Sequence, residues 1–493
     1  MKYFSTRNSN EKVSASWAIS HGLAPDGGLY VPESLPMLSL DDIKTLGKKD
    51  YRGRALSIMK PFLDEFTEDE LKAMILRAYG DNFDSADTAP VHFLDEKTAV
   101  LELWHGPTCA FKDMALQMLP HLLTASLKKC GERRKVCILV ATSGDTGKAA
   151  LEGFADVENT KILVFYPHNG VSDVQQLQMV TQTGDNVGVA AVRGNFDDAQ
   201  TGVKQIFGDA AFAEQLSAKG WFLSSANSIN LGRLLPQIVY YFSAYCDYAN
   251  SGRVNYGDAV DFVVPTGNFG NILACWYAKN MGLPVGKLIC ASNQNNVLAD
   301  FFSRGAYDRN RTFYTTISPS MDILISSNLE RLLYSVCGSD TEVAGYMAEL
   351  AGTGRYEVSD AVKAVIGKHF VGGYCSDDET KSAINKVYTE NGYLMDTHTA
   401  VAYNKLAAYR KDTGCVTPAV VVSTASPYKF CNSVLQALGQ ESDAPGTELI
   451  EKLSEVTKTA IPKPLEGLDR REKRFELVVD KPEMKATVAD FLK

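Results

Sequence analysis

Four short segments of this sequence bring together residue types that can bind an anion or present an amine to an electrophile. The first is His105-Gly106-Pro107-Thr108-Cys109-Ala110-Phe111-Lys112-Asp113, a Gly-Pro turn leading into a helical pattern with apolar residues at Met114, Met118, Leu122 and Leu123. The pattern predicts Lys112 in the first helical turn. Amide groups and the positive helix end disfavour a protonated lysine there, which helps the amine act as nucleophile or base. Pro120 predicts a kink in the same helix. A lone lysine near a helix start is usually a solvated surface residue, so this segment gains meaning only beside the others.

The second segment, Thr142-Ser143-Gly144-Asp145-Thr146-Gly147-Lys148, follows a strand-like run at 136–140 and presents small residues whose bare amides suit an anion. It is not a P-loop. The first glycine of that motif would fall at Thr142, and Ala149 stands where a hydroxyl must reach magnesium. The third, Thr266-Gly267-Asn268-Phe269-Gly270-Asn271, joins a strand pattern to a helix pattern at 272–281 that stops at Gly282 with Pro284 beyond. A glycine turn between strand and helix aims donors and dipole at a phosphate, and its spacing is not the dinucleotide fingerprint. The fourth is Ser423-Thr424-Ala425-Ser426-Pro427-Tyr428-Lys429-Phe430, after the apolar run 419–422. Each has a plainer local explanation as a tight turn or a helix N-cap.

The elements that must position these segments read as parallel strands. Runs at 136–140, 161–166, 187–192, 262–264, 288–290 and 419–422 are short, β-branched and apolar on both faces, and helical stretches alternate with them. That alternation predicts an α/β fold of parallel or mixed sheets wrapped by helices. Three of the four segments leave the carboxyl ends of such strands, where α/β sheets hold ligands. Residues 1–95 differ, with a turn-rich Ala24-Pro25-Asp26-Gly27-Gly28 and amphipathic stretches, and read as a separate N-terminal α+β layer. At 493 residues the chain exceeds one hydrophobic core.

Composition narrows the function classes. The net charge of −9 argues against a nucleic-acid or membrane-surface role. No apolar run approaches the roughly 20 residues of a membrane span, and the polar first dozen residues do not read as a signal peptide. Ten cysteines and seven histidines are scattered without C-x-x-C or paired-His spacing, so a metal site is not expected and a reducing, cytoplasmic compartment is.

Taken together, the four segments resemble the fold-type II pyridoxal-phosphate enzymes, and within them the threonine synthase family. The likeness runs from Tyr3-Phe4-Ser5-Thr6-Arg7 and Gly22–Pro32 to the Thr424 loop. It implies pyridoxal phosphate as cofactor, held as a Schiff base on Lys112, the one catalytic residue assigned. It implies phosphate contacts from Gly267, Asn268, Phe269, Gly270 and Asn271, with Thr424 facing the pyridine nitrogen. The family's segment Ser225-Ala226-Asn227-Ser228-Ile229-Asn230-Leu231-Gly232-Arg233 implies that Ser228, Asn230 and Arg233, with Thr146, hold the phosphate of O-phospho-L-homoserine. Residues 96–129 and 249–493 would form the large cofactor-binding domain, and 130–248 a smaller inserted one. Ser318–Arg331 also matches, without a derivable role, and Asp396-Thr397-His398-Thr399-Ala400 departs from the usual Asp-Pro-His-Thr-Ala. A serine/threonine dehydratase, or a silent relative that binds the cofactor, is the competing expectation. Monomer and homodimer both stay open.

Overall fold

The computed structural model describes residues 1–440 and 444–493. Its two main sheets follow from the apolar runs. Lys135–Ala141, Thr160–Pro167, Val187–Val192 and Trp221–Ser224 pair in parallel, and Val478–Val479 joins beside Val187–Val192 to make five strands. The larger sheet runs Phe370–Tyr374, Val285–Ser292, Val260–Pro265, Ala419–Ser423, Thr98–Glu102 and Val91–Phe93. All its neighbours are parallel except the last pair. Val260–Pro265 is buried along its whole length, as a strand covered by helices on both faces must be.

The N-terminal layer has a three-stranded antiparallel sheet, ordered Asn8–Val13, Tyr3–Ser5, Tyr30–Pro32, and four helices, one between its strands in the chain and three after them. Ser39 and Thr67 start two of those helices with reciprocal capping boxes to Asp42 and Glu70. Between the layers runs Leu231–Asn250, a helix buried over nearly all of its 20 residues. Its Tyr240, Tyr241 and Tyr245 are fully buried. Among the described residues no helix is long and apolar enough to cross a membrane.

Two features differ from the sequence reading. The expected single helix after Lys112 is broken into Asp113–Leu116 and Leu119–Lys129, with Pro120 in the first turn of the second. Proline is tolerated there, because the amide it lacks has no intrahelical partner in a first turn. Lys112 therefore precedes a four-residue helix rather than lying inside a long one. The smaller sheet also reaches beyond 130–248, since Val478 pairs with Ala191 and Val479 with Val192.

Candidate active site

Lys112 is buried, and its Nζ lies 3.4 Å from Asp145 Oδ2 and 3.4 Å from Ser320 Oγ. Burial pushes its ammonium below the ordinary lysine range. Asp145 opposes that push, while the charges of Lys429 and Arg233 reinforce it. The helix end invoked from sequence is only one turn long, so desolvation takes over the role given to the dipole. Asp145 is held more tightly from its other side. Lys429, fully buried, places Nζ 2.8 Å from Asp145 Oδ1 and also donates to the Thr108 carbonyl at 2.9 Å. Gln175 Nε2 donates to the same carboxylate oxygen at 2.9 Å. Burial favours a neutral carboxyl, but Lys429 and Lys112 hold Asp145 well below the usual carboxylate range. Lys429 thus anchors the carboxylate at 2.8 Å, while burial disfavours the charged form of Lys112.

The Gly267–Asn271 turn sits against the same group through Ser320. A Cβ on Gly267 would come within 2.6 Å of the Ser320 carbonyl oxygen, so only glycine permits this approach. The segment Ser318–Arg331, whose role was not derivable from sequence, is the backing of that turn. Ser326 Oγ donates to the Gly267 carbonyl at 2.7 Å, and the Asn328 amide and Nδ2 both donate to the Asn268 carbonyl at 3.1 Å. Fully buried Arg331 then locks Asn328 by donating to its Oδ1 at 2.6 Å, and ties in the carbonyls of Tyr30 and Ile229. With its carbonyls held from behind, the turn points its amides forward. Among the described residues none accepts from the amides of Gly267, Asn268 or Phe269. Phe269 takes φ +65°, a left-handed conformation that lets the helix Gly270–Asn280 begin at once. Asn271 Oδ1 accepts from both Tyr240 and Tyr241 at 2.6 Å, while its Nδ2 is buried without a partner.

The Thr424 loop is zipped onto the lysine loop. Phe111 N donates to the Thr424 carbonyl at 2.8 Å and Ser426 N to the Cys109 carbonyl at 3.0 Å. His398 Nδ1 hydrogen-bonds Asp396 Oδ1 at 2.9 Å, and its Nε2 accepts from the Ser320 amide at 3.2 Å. The Asp-Thr-His variation leaves that bridge in place.

The residues expected at a substrate phosphate separate here. Arg233 is buried, donates to the Ala226 carbonyl at 3.0 Å, and keeps Nε without a partner. Burial lowers its guanidinium to about 10. No carboxylate pairs with it among the described residues. Ser228 is part-exposed at the mouth of the same segment, and Thr146 is part-exposed next to Asp145. Asn230 is otherwise engaged: its Oδ1 caps the helix at Gly232 N, 2.8 Å, and its Nδ2 donates to the Ile19 carbonyl at 2.9 Å. Asp145, Lys429, Gln175, Ser320 and Asn328 were not singled out from sequence. Asp145 and Lys429 lay inside quoted segments, but nothing local marks a carboxylate and a lysine 284 residues apart as a buried pair.

Comparison with known proteins places this geometry. The family model "Threonine synthase N terminus" matches residues 2–79, "Pyridoxal-phosphate dependent enzyme" matches 98–426, and "Threonine synthase, C-terminal" matches 399–489. The threonine synthase of Pseudomonas aeruginosa is 42% identical over 448 residues, covering 90% of this chain and 92% of that protein. The chain belongs to the threonine synthase family. The pyridoxal-phosphate-bound threonine synthase from Brucella melitensis superposes with a TM-score of 0.89 at 38% identity, with all of both chains covered. The yeast threonine synthase gives 0.89 at 33% identity over all of this chain and 98% of the other. Human "Threonine synthase-like 1" is 43% identical over 87% of this chain, which spans 59% of the length of that relative. Pyridoxal phosphate is the cofactor of the family, and the site fits it. A buried amine and a turn with unpaired amides both adjoin Ser320, and Asn271 Nδ2 and Arg233 Nε are buried N–H groups without a partner among the described residues, as an anion site would leave them.

Proposed function

We propose that this chain is a threonine synthase, converting O-phospho-L-homoserine and water to L-threonine and phosphate. One observation carries the reading: Ser320 touches Lys112 Nζ with its hydroxyl and Gly267 with its carbonyl, so amine and phosphate turn share one wall. Lys112, the amides of Gly267 to Asn271 and the hydroxyl of Thr424 would hold pyridoxal phosphate. When bound, the cofactor supplies an electron sink beside the substrate's α-carbon.

The chain's own groups supply the rest. Lys112 Nζ, whose charged form burial disfavours, takes and returns protons at the α- and β-carbons. Asp145, anchored by Lys429, accepts a hydrogen bond from that nitrogen whenever it is charged. Arg233, with a free Nε and no acidic partner, binds the substrate phosphate and stabilises its departure, with Ser228 and Thr146 completing the cradle. Asn230 shapes this cradle through its cap on Arg233's helix. Thr424 would offer the pyridine ring a neutral hydroxyl rather than a carboxylate, which favours elimination and replacement over transamination. An unpaired buried guanidinium has no use in a dehydratase, whose substrate carries no phosphate. The ten cysteines are all free and seven are buried, which suits a cytoplasmic enzyme.

Borohydride reduction of the holoenzyme followed by peptide mass spectrometry is expected to place the cofactor on Lys112. Assay of phosphohomoserine is expected to give threonine and phosphate in equal amounts. A label on another lysine, or a 2-keto acid as product, overturns the proposal.

A further inference from the structure

A second donor-rich cleft lies outside the Lys112 site, at the edge of the N-terminal layer. Its volume is about 520 Å³, and Arg52, Arg77, Gly80, Asp81, Asn82 and Gln117 line it. Arg52 donates Nε to the Tyr79 carbonyl at 2.6 Å, which fixes the plane of its guanidinium and leaves both terminal amino groups for another acceptor. Arg77 is exposed, and burial together with the Arg77 charge holds the nearby His121 down at about 4. Among the described residues neither arginine has a carboxylate within 4.0 Å, and Asp81 is the one acidic residue lining the cleft.

The floor is built with a donor that nothing accepts. Gly80 N donates to Asn82 Oδ1 at 2.9 Å, which orients that amide so that Asn82 Nδ2 donates to Gln117 Oε1 at 3.1 Å. This fixes the Gln117 amide in turn. Its Nε2 is buried with no partner, on a side chain only 9% exposed. A protein rarely leaves such a group unpaired without a ligand or water to meet it.

We propose that this cleft binds a small phosphate-bearing anion, either inorganic phosphate or a phosphomonoester, separately from the Lys112 site. Two guanidinium groups line the cleft and the unpartnered Gln117 amide is buried in its wall, and a phosphate's several charged oxygens suit the two planar guanidinium forks. The two arginines outweigh Asp81, so the local charge is positive on a chain that is negative overall. The cleft also touches the frame of the amine. Gln117 N donates to the Asp113 carbonyl at 3.0 Å, and Tyr79, whose carbonyl holds Arg52, donates its hydroxyl to the Met114 carbonyl at 2.7 Å. An anion drawing on Gln117 and Arg52 therefore bears on the short helix that follows Lys112.

The test is equilibrium binding of inorganic phosphate to holoenzyme carrying Arg233→Ala, which removes the other arginine expected to hold phosphate. One phosphate per chain is expected, weakened at least about tenfold by adding Arg77→Glu and by adding Gln117→Leu. Arg77 is exposed, so its variant keeps the fold, which circular dichroism verifies. Competition by methyl phosphate assigns the site to phosphomonoesters, and its failure assigns it to free phosphate; either result supports the site. Absence of binding in the Arg233→Ala protein overturns the proposal. So does affinity indifferent to Arg77→Glu, or displacement by sodium chloride at equal ionic strength.

Discussion

Replacing Lys429 by methionine tests the arrangement on which the free amine of Lys112 depends. Lys429 is fully buried and touches two acceptors, Asp145 Oδ1 at 2.8 Å and the Thr108 carbonyl at 2.9 Å. Removing one member of a buried pair costs about 3–5 kcal/mol. Asp145 keeps Gln175, Ser320 and Lys112, so the lower end, about 3 kcal/mol, is expected for Lys429→Met. Asp145→Asn is worse off alone, because it strands two buried ammonium groups. The double variant strands one, so its loss should fall short of the sum of the two single losses by about 2 kcal/mol in urea unfolding. The chemistry moves the other way from the fold. Lys429 helps depress the Lys112 ammonium, so its loss makes Lys112 more basic and less nucleophilic near neutral pH. Competitive labelling of the apoenzyme with acetic anhydride, read by mass spectrometry at Lys112, should slow. Additive losses within about 0.5 kcal/mol, or labelling that quickens, would refute the reasoning.

Arg233→Met should lower kcat/KM for phosphohomoserine roughly 100-fold, the loss of a charged hydrogen bond to phosphate. It should leave thermal stability equal or higher, because it removes a buried cation without an acidic partner; a less stable variant with unchanged kcat/KM sinks this assignment. Burial disfavours a charged His105, yet its hydrogen bonds to Asp84 and Glu102 push it up to about 9. A raised folded value gives stability that is complete below about 6.5 and lost as pH climbs through 9. Up to about 3 kcal/mol should vanish across that window, and His105→Gln should flatten it in pH-dependent urea titrations. Arg331→Met should destabilise by about 3–5 kcal/mol and loosen cofactor retention on dialysis, since it frees Asn328 from behind the Gly267 turn. Normal retention would show that the backing does not position the turn.

What the sequence made legible was mostly local. The six apolar runs became strands because continuous β-branched stretches bounded by turns have few other uses, and the Gly267 turn was marked by its own glycines. The strands Trp221–Ser224 and Phe370–Tyr374 escaped notice. The first has a three-residue apolar run, Trp221-Phe222-Leu223, with no β-branched residue in it, and the second carries two glycines that cut its apolar run short. The same limit governed the site. Lys112 stood in a recognisable segment, but the source of its altered basicity did not. The dipole of a helix can be guessed from spacing; the company of Lys429 and Arg233 arises only when distant loops meet. Asn230 shows a related limit: its side chain caps Gly232 and bonds the Ile19 carbonyl, partners that its own segment does not announce.

The late arrival of Val478–Val479 at the smaller sheet carries a consequence for how the protein is made. A ribosome releases the other four strands long before it releases this one, so Val187–Val192 must wait as an open apolar border during synthesis. Unpaired borders of that kind recruit other chains. Nascent protein lacking residues 478–492 should therefore clump or depend on chaperones, even though every group proposed for chemistry has already been synthesised.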